Sequence, residues 1–234
     1  MPEYDLVIRG GSLVTAAEVF DADLAVSGGR IAAIGKNLGR GNEEIDAKGK
    51  LILPGGIDTH CHIEEVGEGG AVQEESFVSG SKAALAGGTT SFICFKPQWR
   101  GNRLSDSAPG YESRAAQSLA DYSFHQIITD PTPEVLEKEI PALAERGVRS
   151  LKVFLTYGPL MLRDEDFLKV LVCARQLGML VTVHCENYDA IEWQQNALLA
   201  AGLTDPLQHA WARPPVVERE ATYRAMALAE LVDQ

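Results

Sequence analysis

The sequence has no basic run, no long apolar run and no pair of cysteines in a C-x-x-C pattern. Its 21 lysines and arginines stand against 33 acidic residues, which gives a net charge of −12. This excess of negative charge argues against a surface that binds nucleic acid or an anionic membrane. No apolar stretch approaches the roughly 20 residues that a membrane-spanning helix needs. We therefore expect neither a nucleic-acid partner nor a membrane partner.

Cysteine is also scarce in this chain. Only Cys61, Cys94, Cys173 and Cys185 are present, and their spacing predicts no disulfide framework. The first residues show no basic segment followed by an apolar one, which is the pattern of a secretory signal. We therefore expect a reduced protein in the cytoplasm.

The remaining composition is that of a globular protein, with 45% hydrophobic and 23% charged residues. Residues 1–55 contain short apolar segments separated by glycine turns, and this pattern predicts a hairpin-rich β region. After residue 55, strands alternate with helical patterns at nearly regular intervals. The predicted strands begin near Ile57, Thr90, Tyr122, Ser150 and Leu180. This succession is typical of βα units in a parallel sheet or barrel.

Two predicted helices have clear boundaries. Thr132 can cap a helix that extends over residues 133–145. Asp164 can cap a helix that ends before Gly178, because glycine favours the left-handed conformation that often closes a helix. Each of these helices would follow a strand and so complete a βα unit.

Two histidines mark the end of the first strand after residue 55, in the sequence Asp58-Thr59-His60-Cys61-His62. Residues i and i+2 of a strand point to the same side, so His60 and His62 can present two imidazoles to one metal ion. The alternative is an ordinary pair of polar residues at a strand end. The position favours ligands, because active sites of βα barrels collect at the carboxyl ends of the strands.

Two further residues occupy comparable positions on later strands. His184 ends the fifth of these strands and adds a second candidate ligand group, although a lone histidine there is more often structural. Its neighbours Glu186 and Asn187 either orient the imidazole or cap the following helix. Lys152 lies in an otherwise apolar strand, where a buried ammonium needs compensation. A snorkelling side chain or an ion pair with a carboxylate is the alternative for Lys152.

The sequence resembles the cyclic amidohydrolases, specifically the hydantoinase and dihydropyrimidinase group, in five ordered segments. These segments are residues 53–62, 86–90, 150–157, 183–187 and 209–215. The resemblance implies an α/β fold with a (β/α)8 TIM barrel, of which residues 56–234 would supply about five of the eight βα units. Residues 1–55 would be the amino-terminal part of a small β-sandwich domain.

The resemblance also implies a centre of two divalent metal ions, usually zinc. His60 and His62 would bind one ion, His184 the other, and Lys152 both, as a lysine carboxylated by CO2. Tyr157 matches the tyrosine that polarises the substrate carbonyl in this family. The implied reaction is hydrolysis of the ring amide of a hydantoin or dihydropyrimidine by a metal-bridging hydroxide, in a homo-oligomeric enzyme.

The resemblance further implies loops around the exocyclic group of the small cyclic amide substrate, formed by residues 63–70, 95–102 and 156–162. Candidate contacts in these loops are Glu64, Phe95 and Lys96. Glu64 stands where dihydroorotases usually carry an arginine, which argues against a substrate with the carboxylate of dihydroorotate.

The family's next histidine and its aspartate, on later strands, would lie beyond Gln234. We therefore expect these 234 residues to be an incomplete portion that is inactive by itself. Two alternatives stay open: a non-catalytic scaffold or interaction protein related to dihydropyrimidinase, and another cyclic amidohydrolase such as an allantoinase or a dihydroorotase. The four candidate ligands speak against the metal-free scaffold.

Overall fold

The computed structural model describes residues 1–67 and 71–234, so the expected loop at residues 63–70 lies partly outside the described residues. The chain forms two compact units, Met1–Gly56 and Ile57–Gln234. No helix in the described part of the chain has the length and apolar character needed to cross a bilayer.

The first unit is a five-stranded sheet. Its strands are β1 (Tyr4–Val14), β2 (Val19–Ser27), β3 (Arg30–Gly35), β4 (Gly41–Asp46) and β5 (Leu51–Ile52). The order is β3-β2-β1-β4, and β5 also pairs with β1. Gly28 and Gly29 join β2 to β3 with φ angles of 58° and 72°, as a tight two-residue hairpin turn requires. The predicted hairpin-rich β region is therefore present.

Strand β4 has no counterpart among the predicted strands. Ile45 is its only apolar side chain and five of its six residues are exposed, so it shows no alternation of apolar side chains. It forms because its backbone pairs in parallel with β1, for example Leu6 with Glu43. Sequence periodicity cannot detect a strand that is held by backbone pairing with β1 and by the ion pair of its Glu44 with Arg9, since both contacts depend on a distant neighbour.

The second unit contains five strands, whose order in the sheet is the order in the chain. They are β6 (Gly56–Cys61), β7 (Thr89–Lys96), β8 (Asp121–Ile127), β9 (Ser150–Phe154) and β10 (Leu180–His184). Parallel pairing joins β7 to β8, β8 to β9, and β9 to β10. The predicted α/β class is confirmed by this succession.

Helices connect and flank these strands. They are α1 (Phe77–Ala86), α2 (Tyr111–Ala115), α3 (Ile140–Glu145), α4 (Asp164–Leu177), α5 (Tyr188–Ala200), α6 (Gln208–Ala212) and α7 (Pro215–Val232). Helix α4 ends at Gly178, whose φ of 62° is the left-handed conformation that was predicted. The residue that precedes its first turn is Arg163 rather than Asp164, so the predicted cap is displaced by one residue.

The helix predicted over residues 133–145 is not regular. Thr132 does cap it, because its Oγ1 accepts from the Val135 N–H at 3.3 Å. Val135–Glu139 then forms a π-helical turn before α3, in which the Ile140 N–H bonds to the Val135 carbonyl. Pro141 has no N–H to continue the ordinary helical pattern, and the wider turn lies directly before it.

One face of the second sheet packs against the helices. Phe92 and Cys94 of β7 pack against α1 and α2, while Leu151 and Val153 of β9 pack in a core with residues of α4 and α7. Because side chains alternate along a strand, the intervening residues point to the opposite face, here called the inner face. The candidate metal ligands lie on this inner face, near the carboxyl ends of the strands.

Candidate metal centre and adjoining cavity

His60 and His62 lie together at the end of β6, with their ring centroids 5.6 Å apart. The ring of Phe95, from the end of β7, lies 4.5 Å from the His60 ring and stacks on the His62 ring at 4.7 Å, both measured between centroids. The backbone N–H of His60 donates to Asp58 Oδ1 at 2.9 Å. The two imidazoles that the sequence predicts as ligands therefore lie on one side of β6, against the ring of Phe95.

The two imidazoles have different electrostatic surroundings. Burial lowers the pKa of His60, and the nearby Lys152 ammonium lowers it further. His62 Nδ1 lies 2.8 Å from Glu65 Oε2, and this hydrogen bond raises the pKa of His62. When Nδ1 of His62 carries the proton that it donates to Glu65, Nε2 keeps the lone pair that a metal needs. Each ring in its neutral form can therefore offer a nitrogen ligand.

Lys152 is almost fully buried, with 5% of its surface exposed. Its Nζ lies 5.5 Å from the ring centroid of Phe95 and 4.9 Å from that of Phe154. No carboxylate pairs with it in residues 1–67 and 71–234. Burial lowers the pKa of Lys152, because an ammonium without a counter-ion is poorly solvated there. Neither alternative from the sequence, an ion pair or a snorkelling side chain, describes this lysine.

His184 ends β10, and its Nε2 lies 2.8 Å from Glu186 Oε2. This contact leaves Nδ1 as the ring nitrogen available to a ligand. The Asn187 side chain instead accepts from the Ala190 N–H at 3.0 Å and caps α5. The sequence offered orientation of the imidazole or helix capping for these two neighbours, and each residue takes one of the roles.

Tyr157 lies beside His184, with ring centroids 5.1 Å apart. Its backbone is in the left-handed region at φ 61°, unusual for a residue with a side chain. Its carbonyl accepts from the N–H groups of Leu160 and Met161 at 2.7 and 2.9 Å, which holds this conformation. Strained backbone of this kind often occurs where a side chain must be aimed at a site.

A cavity of about 790 Å³ adjoins these side chains. Its lining includes Glu65, Trp99, Tyr157, Tyr188 and Arg213. Glu65 connects it to His62, and Tyr157 connects it to His184. A concave, mainly apolar and aromatic space with a few polar groups is the usual form of a small-molecule site.

The donor types suit a divalent metal centre once Lys152 supplies oxygen. Imidazole nitrogens are common ligands of zinc and similar ions. Across the described residues, no three side chains of His, Cys, Asp or Glu converge on one ion. Lys152 is buried on the same face and has no carboxylate partner in residues 1–67 and 71–234, so it is the further candidate for a donor group.

The expected substrate-loop contacts have other surroundings. Phe95 and Lys96 are the last residues of β7 rather than part of a loop, so that expectation is corrected. Lys96 points to the face opposite Phe95, where its Nζ donates to Glu112 Oε1 at 2.7 Å. Strand alternation accounts for the separation of these two neighbours.

Glu64, the third expected substrate contact, has two partners within the protein. Its Oε2 accepts from the Phe77 N–H at 3.0 Å, at the start of α1, and its Oε1 lies 2.8 Å from Arg114 Nε. It is not among the described residues that line the cavity. The neighbouring Glu65 lies there instead, and its spacing of three residues from His62 was a signal that sequence reasoning did not use.

Comparisons with known proteins identify related sequences and structures. Residues 51–206 match the profile of the Amidohydrolase family. The chain is 41% identical to a D-hydantoinase of Rhizobium radiobacter over 98% of its own length and 50% of that protein. It is 39% identical to a dihydropyrimidinase of Arabidopsis thaliana over 97% of its length and 43% of that protein.

A solved structure of D-hydantoinase superposes on 97% of this chain and 50% of its own chain, with a TM-score of 0.93 at 42% identity. The predicted amidohydrolase-type barrel fold and the resemblance to hydantoinases and dihydropyrimidinases are confirmed by these matches. The chain spans about half the length of the curated relatives it matches.

Proposed function

The chain belongs to the amidohydrolase family, and we propose that its second unit forms part of a site that hydrolyses the ring amide of a small cyclic amide, of the hydantoin or dihydropyrimidine type. One observation carries this proposal: the side chains of His60, His62, Lys152 and His184 come to the same face of the sheet, beside a cavity that contains Tyr157. The curated relatives named D-hydantoinase and dihydropyrimidinase support the substrate class.

The proposed centre holds two divalent ions, with zinc as the first candidate. His60 and His62 would hold one ion, His184 the second, and Lys152 would join the two as a carboxylate. Bound divalent ions supply a nucleophilic water near neutral pH and polarise a carbonyl oxygen.

Lys152 is suited to carboxylation by its surroundings. The neutral amine attacks CO2, forming an N–C bond and releasing one proton, so that an ammonium is replaced by an anionic carbamate. Burial favours the neutral amine, because it lowers the pKa of this lysine. The rings of Phe95 and Phe154 provide no competing counter-ion for the cation.

Tyr157 is the side chain that we propose acts on the substrate carbonyl. Its phenol can donate a hydrogen bond to the ring carbonyl, and this bond strengthens as negative charge develops on the oxygen during attack. The aromatic lining of the cavity, with Trp99 and Tyr188, can bury the exocyclic group while the amide points toward the metal ligands.

The test combines metal content with turnover in a catalytically competent form of the protein. We expect close to two divalent ions per chain. We also expect hydrolysis of hydantoin or dihydrouracil, measured as the loss of the amide absorbance. A folded protein that binds no divalent ion would contradict the proposal and favour the scaffold alternative. Preferential hydrolysis of allantoin or dihydroorotate would keep the metal chemistry and correct the substrate.

A further inference from the structure

His125 is a buried histidine of β8 to which the proposed chemistry gives no role; 4% of its surface is exposed. Its ring projects from the inner face and makes two short contacts. Nδ1 lies 2.6 Å from Ser150 Oγ, and Nε2 lies 2.8 Å from the carbonyl oxygen of Thr59. The ring also packs against Phe95 at a centroid distance of 4.9 Å. Both polar atoms of the imidazole are therefore satisfied inside the protein.

The partners determine which ring nitrogen carries the proton. A carbonyl oxygen can only accept, so Nε2 donates to Thr59. In the neutral ring Nδ1 then accepts, and the hydroxyl of Ser150 donates to it. The histidine thus has one defined tautomer and one orientation, which a side chain that merely fills space would not require.

The two partners belong to the strands that carry the candidate metal ligands. Thr59 directly precedes His60 on β6, and Ser150 precedes Lys152 by two residues on β9, so both serine and lysine are on the inner face. These strands are not neighbours, because β7 and β8 lie between them. A single imidazole therefore spans from one ligand-bearing strand to the other.

We propose that His125 is a positioning residue that sets the separation of the His60 strand from the Lys152 strand, so that ligands on both can reach one metal centre. The inference rests on the proposed metal-dependent function. Hydrogen-bonded partners that orient metal ligands typically contribute about 10–100-fold to metal affinity, because a misplaced ligand must be repositioned on binding. His125 would act indirectly, through the backbone of β6 and the strand β9, which carry the ligands.

The experiment measures Zn²⁺ affinity of the purified protein by competition with a chromophoric chelator. We expect His125→Ala to weaken binding by about 10-fold or more. His125→Gln retains an amide N–H that can reach the Thr59 carbonyl, and it should recover most of that loss. Phe124→Leu is the matched control, because Phe124 is the adjacent residue of β8 and packs on the other face against Tyr111.

The outcomes separate this role from a structural one and from the function itself. Affinity of His125→Ala within about twofold of the wild type, or equal weakening in Phe124→Leu, would overturn the positioning role. A wild-type protein that binds no Zn²⁺ would overturn the proposed function together with this role. If His125→Ala does not fold, Ser150→Ala removes only one of the two hydrogen bonds, and unchanged Zn²⁺ affinity in that variant would overturn the inference.

Discussion

His62 and Glu65 form a hydrogen-bonded pair, with 2.8 Å between Nδ1 and Oε2, and this pair separates the titration of His62 from that of His60. The carboxylate raises the pKa of His62, whereas burial and the Lys152 ammonium lower that of His60. Two histidines separated by one residue in the sequence therefore have pKa values shifted in opposite directions.

Glu65→Gln should lower the pKa of His62 in the metal-free protein and leave that of His60 nearly unchanged. In the wild type, a raised folded-state pKa means that the pair contributes stability fully below the unfolded pKa of about 6.5. This stability is lost as pH rises through the folded value. Histidine NMR titration of both proteins measures the two pKa values. A His62 pKa that does not respond to the substitution would contradict the pairing.

Lys152→Ala should abolish metal binding at the bridging position and with it any hydrolytic activity. Short-chain carboxylic acids added to this variant should restore part of both, because they replace the missing carboxylate. Lys152→Arg is the control that keeps a positive charge but cannot accept CO2 or ligate a metal. Normal metal content in the arginine variant would rule out the bridging role.

Tyr157→Phe should lower kcat in a catalytically competent form of the protein by about 10²–10³ and change KM less. The phenol is proposed to stabilise charge that develops only during the reaction, so its loss affects the transition state more than the bound substrate. Both metal ions should remain, since the hydroxyl is not a proposed ligand. Steady-state kinetics with metal analysis measure the split. A change of only a few-fold in kcat would leave Tyr157 as a packing residue of the loop.

Glu64→Ala should destabilise the protein by about 1–3 kcal/mol, because the Phe77 N–H would lose its acceptor and the partly buried Arg114 guanidinium would lose its ion-pair partner. Zinc content should be unchanged, since Glu64 is absent from the described cavity lining. Urea unfolding gives the free-energy difference. Glu74→Ala is the control, because Glu74 is exposed and forms no ion pair in the described part of the chain. Equal stability of both variants would show that the Glu64 contacts contribute nothing measurable.

The amino-acid sequence alone determines the features that depend on a few neighbouring residues. Period-two alternation places His60 and His62 on one side of β6, and glycine at position 178 allows the left-handed end of α4. The succession of strands and helices follows from the same local patterns. These signals are short-range, so they can be recognised without knowing which strands become neighbours.

The tertiary structure alone decided which of these residues meet. Strand order and packing bring Lys152 to the ring of Phe95, and they bring Glu112 of α2 to Lys96. They also join His125 to Thr59 and Ser150, residues far from it in the sequence. Such contacts arise from the pairing and curvature of strands separated by whole helices. No local periodicity encodes them, because the same alternating pattern is compatible with many registers until the packed core selects one.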